Sequence, residues 1–284
     1  MSAGGQSNAV VIGTFDGVHL GHRRVIETAL ATGLPVRVLT FEPHPRVVLG
    51  NFVEGLSTLE RRLELLAELG VAETTVVAFT LDVAKLEPEE FAAQQLADAA
   101  VVVAGADFRF GRTRRGDLAL LGELGHEVLP VPLLEGVSSS EIRRRLHEGD
   151  VVGAAEQLGR PFELDGVVVG GDQRGGTLGY PTANLAIEPG LIVPAYGIYA
   201  GSARLDDGQM RRAAISIGTN PHYGGEERRI EPYLLDFDGD LYGRRLVVEL
   251  WQRLRDEQVF DDEQGLIDQI ARDVEATRQA VRPG

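Results

Sequence analysis

Residues 100–105 read AVVVAG, six apolar positions in a row with valines at the centre. A strand with one face in water alternates apolar and polar side chains, and this one has nothing to offer water on either face. Such a run belongs in a sheet covered on both sides, which is the condition of parallel sheets. AVVIG (9–13), PVRVLTF (35–41) and ETTVVAF (73–79) precede it, and HEVLPVP (126–132) follows. Between these runs lie stretches of helical period: HRRVIETALATG (22–33), STLERRLELLAELG (57–70), PEEFAAQQLAD (88–98), DLALLGELG (117–125) and SSSEIRRRLHEGD (138–150). Gly33 and Gly70 close the first two, Ser57 and Glu60 form a capping box, and Pro88 stands in the first turn of the third. Regular alternation of this kind predicts a doubly wound, Rossmann-like parallel α/β domain. Ligands of such sheets bind beyond the carboxyl ends of the strands.

The period changes after a short helix, GDVVGAAEQLGR (149–160), which ends at Gly159. From PFELDGVVVGG (161–171) to RRLVVELWQRLR (244–255), strand-like runs are joined by Gly, Pro, Asn and Asp turns. That pattern predicts an antiparallel sheet or small β-barrel. The last stretch, 261–281, reads as one helix with Ile267, Ile270 and Val274 on its apolar stripe. The expected division is therefore residues 1–158 and 159–284, in keeping with the two-domain expectation for a chain of 284 residues.

Composition removes several chemistries. There is no cysteine, so disulfides, thiolate nucleophiles and cysteine-ligated metals are excluded. Lys85 is the sole lysine, so any lysine-dependent mechanism would have to use it. The net charge of −15 argues against binding a nucleic-acid backbone, while leaving room for a small anion held by local arginines. The N-terminus MSAGGQSNAVVIG lacks the pattern of a signal peptide, and no apolar run reaches the length of a membrane span. A cytoplasmic protein without nucleic-acid or membrane partners is expected.

The stretch GTFDGVHLGH (13–22) leaves the first strand and enters the first helix. Backbone N–H groups at such a helix start favour an anion, and Gly13, Gly17 and Gly21 allow close approach. His19 and His22 are able to donate to phosphate oxygens. A polar capping role is equally open for an isolated H-x-x-H, whereas zinc lacks a third ligand at suitable spacing. VSSSEIRRRL (137–146) opens the last helix of the α/β half and offers Ser139, Ser140 and Arg143 as a second anion cradle. It also supplies a capping box, Ser138 with Glu141.

In the second half, GGDQRGGTLGYPTANL (170–185) is rich in glycine but lacks the Gly-Lys-Ser/Thr ending of a Walker A loop. A long hairpin loop is its plain reading. Thr182 and Asn184 alternate onto one face of an extended segment and offer oxygen donors of the kind Mg²⁺ takes. Glu231, in an apolar strand context, is a candidate general base if burial raises its pKa; a surface strand position is the alternative. Asp236, Asp238 and Asp240 read as a turn.

Taken together, GTFDGVHLGH, TFEPHP (40–45), GADFRFG (105–111) and VSSSEIR (137–143) resemble the adenylyltransferase module of bacterial bifunctional riboflavin kinase/FAD synthetases. LGRPFELDGVVVGGDQRGGTLGYPTANL, PAYGIYAG, SIGTNPHYGG, IEPYLLDFDGDLYG and LRDEQVFDDEQGLIDQIARD resemble the kinase module of the same family, in order. The resemblance spans residues 9–278 and implies two reactions. Riboflavin and ATP give FMN; FMN and ATP give FAD and pyrophosphate, with Mg²⁺ in both. It further implies a six-stranded antiparallel barrel with a C-terminal helix. His19 and His22 would hold ATP phosphates and stabilise the transition state. Gly13, Phe15, Asp16, Gly17, Ser139, Ser140 and Arg143 would line that nucleotide site, and Asp107 and Phe108 would approach the flavin. In the kinase, Glu231 would activate the 5′-hydroxyl of riboflavin, and Thr182 and Asn184 would position Mg²⁺. Gly170, Gly175 and Gly179 would belong to a loop over the nucleotide, and Arg255 would approach the flavin. The chain departs from the family pattern at Gly176, where a second arginine is usual, and at His222, where a threonine is usual. The stretches 33–38 and 125–138 are short for the family.

Overall fold

A computed structural model describes residues 8–170, 179–219 and 228–284. The chain forms two compact units: Met1–Gly55 with Leu59–Ser139, and Leu56–Thr58 with Ser140–Gly284.

In the first unit, strands β1 (Asn8–Ile12), β2 (Val36–Glu42), β3 (Glu73–Ala78), β4 (Ala99–Gly105) and β5 (Glu127–Val131) form one sheet in the order β3-β2-β1-β4-β5. All of its pairings are parallel. Ala9, Val11, Val101 and Val103 enter a core with helices α1 (Leu20–Leu30) and α3 (Leu59–Glu68). Val10, Ile12 and Val102 enter a second core with α4 (Pro88–Gln95) and α5 (Leu118–Glu123). Adjacent residues of one strand thus serve opposite cores, which is why these strands are apolar throughout. A four-residue helix, α2 (Pro45–Val48), lies outside the periodic pattern because it is too short to repeat.

Two expectations change. The capping box at Ser57 does not form: α3 starts at Leu59, and Ser57 Oγ is buried without a hydrogen-bond partner. The segment before α3 is held elsewhere, with Leu56 in the core of the second unit and Thr58 Oγ1 donating to Asp165 Oδ2 at 2.8 Å. Residues 140–158, expected in the first domain, cluster with the second unit. The reason is apolar burial: Ile142 and Leu146 of α6 (Ser139–His147), and Val151, Ala154 and Leu158 of α7 (Val151–Leu158), join the barrel's core.

The barrel strands are β6 (Phe162–Val169), β7 (Asn184–Ile187), β8 (Gly197–Leu205), β9 (Met210–Thr219), β10 (Arg228–Leu234) and β11 (Arg245–Arg255), in the order β10-β9-β8-β11-β6-β7. Every pairing is antiparallel. The Ala183 N–H donates to the Pro232 carbonyl at 2.9 Å, so the two edge strands nearly close the barrel. The long helix α8 (Glu263–Gln279) packs on β8 and β9. Its end is fastened by Arg212, which donates to the carbonyls of Thr277 (2.9 Å) and Ala280 (2.8 Å) and lies over the Trp251 ring.

Just beyond α8, Arg282 donates to both oxygens of Glu249, each at 2.8 Å. Burial alone would raise the Glu249 pKa. Arg282, Trp251 and Ser202 outweigh that effect and hold the carboxyl below its ordinary value of 4.5. A carboxyl with a depressed folded pKa stabilises the fold above its unfolded value, and that contribution fades as pH falls through the folded value. Arg282→Ala should therefore destabilise the second unit by about 1–3 kcal/mol at pH 7, with the arginine's partial exposure keeping the loss modest. Thermal unfolding of the two proteins should converge below pH 4.5 as Glu249 becomes protonated.

Candidate active sites

The sheet order brings the chain from β1 outward to β2 and β3, then back to β4 on the other side of β1. The carboxyl ends of β1 and β4 therefore meet at the topological switch point, where such sheets bind ligands. The segment 13–22 leaves β1 there, and Asp107 and Phe108 follow β4. Asp107 is exposed and its carboxylate makes no hydrogen bond among the described residues, so it is not a strand-end cap. Phe108 is half-buried, its ring stacked on that of buried Phe110 at 5.7 Å between centroids. Nearby Asp117 caps α5 through the Leu120 N–H, and that bond together with Arg109 holds its carboxyl below the ordinary range.

The segment after β1 is strained. Phe15 (φ 49°), Gly17 (φ 78°) and Val18 (φ 41°) all occupy the left-handed region. For a β-branched residue that conformation is an outlier, costing on the order of 1–3 kcal/mol. It persists because Phe15 and Val18 are 1% exposed and locked in the first core. The turn delivers His19 to the N-cap of α1, where its Nδ1 accepts from the His22 N–H at 3.3 Å. With Nδ1 accepting, the ring proton of a neutral His19 sits on Nε2. The His19 and His22 rings stack at 3.6 Å with 14° between planes, and Phe15 lies 5.1 Å from His22. A Cβ at Gly13 would stand 3.2 Å from the Phe15 ring, and one at Gly21 would stand 3.1 Å from His19 Cε1.

Buried Asp16 receives the Ser139 hydroxyl on its backbone carbonyl at 3.1 Å. Ser139 and the strained turn, 123 residues apart in sequence, are thereby joined. Ser140 and Arg143 occupy the first turns of the same helix.

In the barrel, Ala183 and Leu185 face the core, as do Ile230 and Leu234. Alternation places Thr182, Asn184 and Glu231 on the outer face, on strands joined by the Ala183–Pro232 bond. A cavity of about 490 Å³ opens here, lined among others by Thr182, Asn184, Pro232, Asp238, Asp240 and Tyr242. Glu231 does not line it; its side chain is 31% exposed and lies 3.8 Å from Arg229 Nη1. Asp240 accepts from the Tyr242 N–H at 2.9 Å in the expected turn, and Asp236 pairs with both terminal nitrogens of Arg278 at 2.7 Å. Gly170 is exposed just beyond β6, and Gly179 adopts φ 83° ahead of Tyr180. Gly175, Gly176 and His222 lie outside the described residues. The Arg255 guanidinium is engaged by Asp273, with Nη2 to Oδ2 at 2.7 Å.

The sequences of known proteins agree with this division. A family model described as FAD synthetase matches residues 3–141, and one described as riboflavin kinase matches residues 158–281. The bifunctional riboflavin kinase/FMN adenylyltransferase of Listeria monocytogenes is 36% identical over 289 residues, covering 96% of this chain and 92% of that protein. That of Escherichia coli K12 is 35% identical, covering 95% and 91%. This chain belongs to the bifunctional riboflavin kinase/FMN adenylyltransferase family. Its fold also matches a Streptococcus pneumoniae crystal structure titled a macrolide-efflux protein, with a TM-score of 0.88 and 34% identity over 97% of this chain and 95% of that one. No helix among the described residues is long and apolar enough to cross a membrane.

One residue at the first site carries no motif signal: Arg62 reaches the strained turn from α3. Tyr242, within the quoted 230–243 motif but given no role from it, joins the cavity wall. Gly21 tests the stacked pair directly. In Gly21→Ala the new methyl displaces the His19 ring, so FAD formation from FMN should fall by about tenfold or more, on the scale of ångström misplacements. FMN formation from riboflavin by the same preparation should be unchanged.

Proposed function

We propose that the switch point of the parallel sheet transfers adenylyl groups and that the β7–β10 seam of the barrel phosphorylates riboflavin. The protein converts riboflavin and ATP to FMN and ADP, and FMN and ATP to FAD and pyrophosphate. The observation that carries the assignment is the His19–His22 stack at the start of α1, tied through Asp16 and Ser139 to the start of α6.

In adenylyl transfer a phosphate oxygen of FMN attacks the α-phosphorus of ATP, and the bond to the pyrophosphate oxygen breaks. The nucleophile is already an anion, so no base is required, and the work is positioning and charge stabilisation. His19 Nε2–H and His22 donate to the phosphates, with the backbone around Gly13, Phe15, Asp16 and Gly17 close enough to follow them. Ser139, Ser140 and Arg143 take the phosphate tail at the second helix start. Asp107 and Phe108, exposed and half-buried beyond β4, meet the flavin end.

Phosphorylation of riboflavin differs because its nucleophile is a neutral hydroxyl. Glu231 accepts the 5′-hydroxyl proton, the oxygen attacks the γ-phosphorus, and ADP leaves. Thr182 and Asn184 fit Mg²⁺ as oxygen donors beside a cavity whose acidic lining is Asp238 and Asp240. No cluster of three or more His, Cys, Asp or Glu residues suited to a metal occurs among the described residues, which suits an ion held largely by substrate phosphates. When bound, Mg²⁺ would neutralise charge on those phosphates. Gly170 and Gly179 border the nucleotide, and Arg255, set by Asp273, borders the flavin. Residues 1–158 and 159–284 are the two functional domains. Both reactions take place in the cytoplasm on small molecules; the charge of −15 weighs against a nucleic-acid partner.

The two sites are separable by mutation. Glu231→Gln should reduce FMN formation by on the order of 10²–10⁴-fold, the range of a lost general base, and leave FMN-to-FAD conversion intact. His22→Ala should do the reverse. Chromatographic separation of the flavins after each incubation reads both rates, and parallel loss of both activities in either variant would sink the division.

A further inference from the structure

We infer that Arg62 is a positioning residue for adenylyl transfer, holding the turn that carries His19 and His22. The inference rests on the reading of residues 13–22 as the ATP-phosphate end of the first site.

Arg62 is 4% exposed. Its Nη1 donates to the Thr14 carbonyl at 2.8 Å and to the Phe41 carbonyl at 3.3 Å, and its Nη2 pairs with Glu42. One guanidinium thus fastens the end of β2 and the first residue beyond Gly13 to α3. The Thr14 carbonyl also receives the hydroxyl of fully buried Thr40 at 3.1 Å. Two donors therefore fix the peptide immediately before Phe15, where the left-handed run begins. A strained backbone persists only where its surroundings over-determine it, and this carbonyl is the point at which α3 and β2 do so.

The other buried arginines of this unit show what a purely structural role looks like. Arg61 pairs with Glu64 and Glu68 of its own helix, and Arg37 joins Asp98 and the Gln95 carbonyl. Among the described residues, Arg37 makes no bond to the segment after β1. Arg62 Nε, moreover, is buried without a hydrogen-bond partner. A side chain kept only for stability would gain from satisfying that donor; here the fork is aimed at two carbonyls and one carboxylate instead. Lysine, a point charge without the planar fork, cannot span the same set.

The test uses the full-length protein and two rates from one preparation: FAD from FMN and ATP, and FMN from riboflavin and ATP. In Arg62→Met, kcat for FAD formation should drop by on the order of 10²-fold, with KM for FMN little changed and the kinase rate retained. Arg62→Lys should recover part of that loss, leaving about a tenfold defect, at an unchanged melting temperature. Where Arg62→Met unfolds the first unit, Arg62→Lys decides: a kcat defect without a melting shift supports the role, and full activity overturns it. Arg62→Met within threefold of the native kcat overturns it as well. His22→Ala separates the two levels. If that variant keeps its FAD-forming rate, the underlying site assignment falls; if it is inactive while Arg62→Met is not, only the role of Arg62 falls.

Discussion

The position of β1 governs the first unit. It has a parallel neighbour on each side, β2 and β4, and the chain reaches them in opposite directions. Loops leaving β1 and β4 diverge from one point, and a crevice opens between them that neither loop could make alone. Because both faces of β1 are covered, its ends are the only places where chemistry has access. The strained turn follows from this. The chain must leave a fully buried strand, cross the crevice and start a helix within seven residues, and Phe15 and Val18 take left-handed backbone angles to do so. Their burial in the core meets that cost, and the result is a rigid pair of imidazoles at a helix start.

The barrel reaches an active surface by a different route. Its six strands do not quite close, and the seam between β7 and β10 is held by the Ala183–Pro232 bond. The short β7 leaves room beside it for the cavity around Thr182, Asn184 and the 238–242 turn. Alternation then places oxygen donors and Glu231 on one outer face, while Leu185, Ile230 and Leu234 fill the interior. The elements that close the core also arrange the chemistry.

Much of this was legible in the residues. AVVVAG and its fellow runs announced a doubly covered sheet because their neighbours serve two cores, and no other environment tolerates them. His19 and His22 were legible because short local spacing specifies them: an N-cap and the residue three further on share a helix turn. What local spacing could not reveal was tertiary. Arg62 looked like any charged residue of an amphipathic helix, and only the packing of α3 turns it onto Thr14. Ser57 satisfied the pattern of a cap, yet Leu56 and Thr58 pull that segment toward the barrel. Residues 140–158 continue the α/β rhythm in sequence while burying Ile142, Leu146 and Leu158 in the other unit. Arg255 and Asp273 stood at the two ends of one family motif, and only the fold shows that they pair.

The two sites also show how the charge of a nucleophile decides what a protein must supply. FMN brings an anionic phosphate oxygen, so the first site needs donors that tolerate two polyanions together. The His19 and His22 rings stack at 3.6 Å at a helix start, where backbone N–H groups favour an anion. A fixed geometry matters more there than proton transfer, and the strained, over-tethered turn provides it. Riboflavin brings a neutral hydroxyl, so the second site needs an acceptor for its proton. On our proposal Glu231 is that acceptor, and it stands on the regular strand β10. On the proposed assignment, the site that works by position is the one whose turn is strained at Phe15 and Val18, while no residue of β10 takes a left-handed angle.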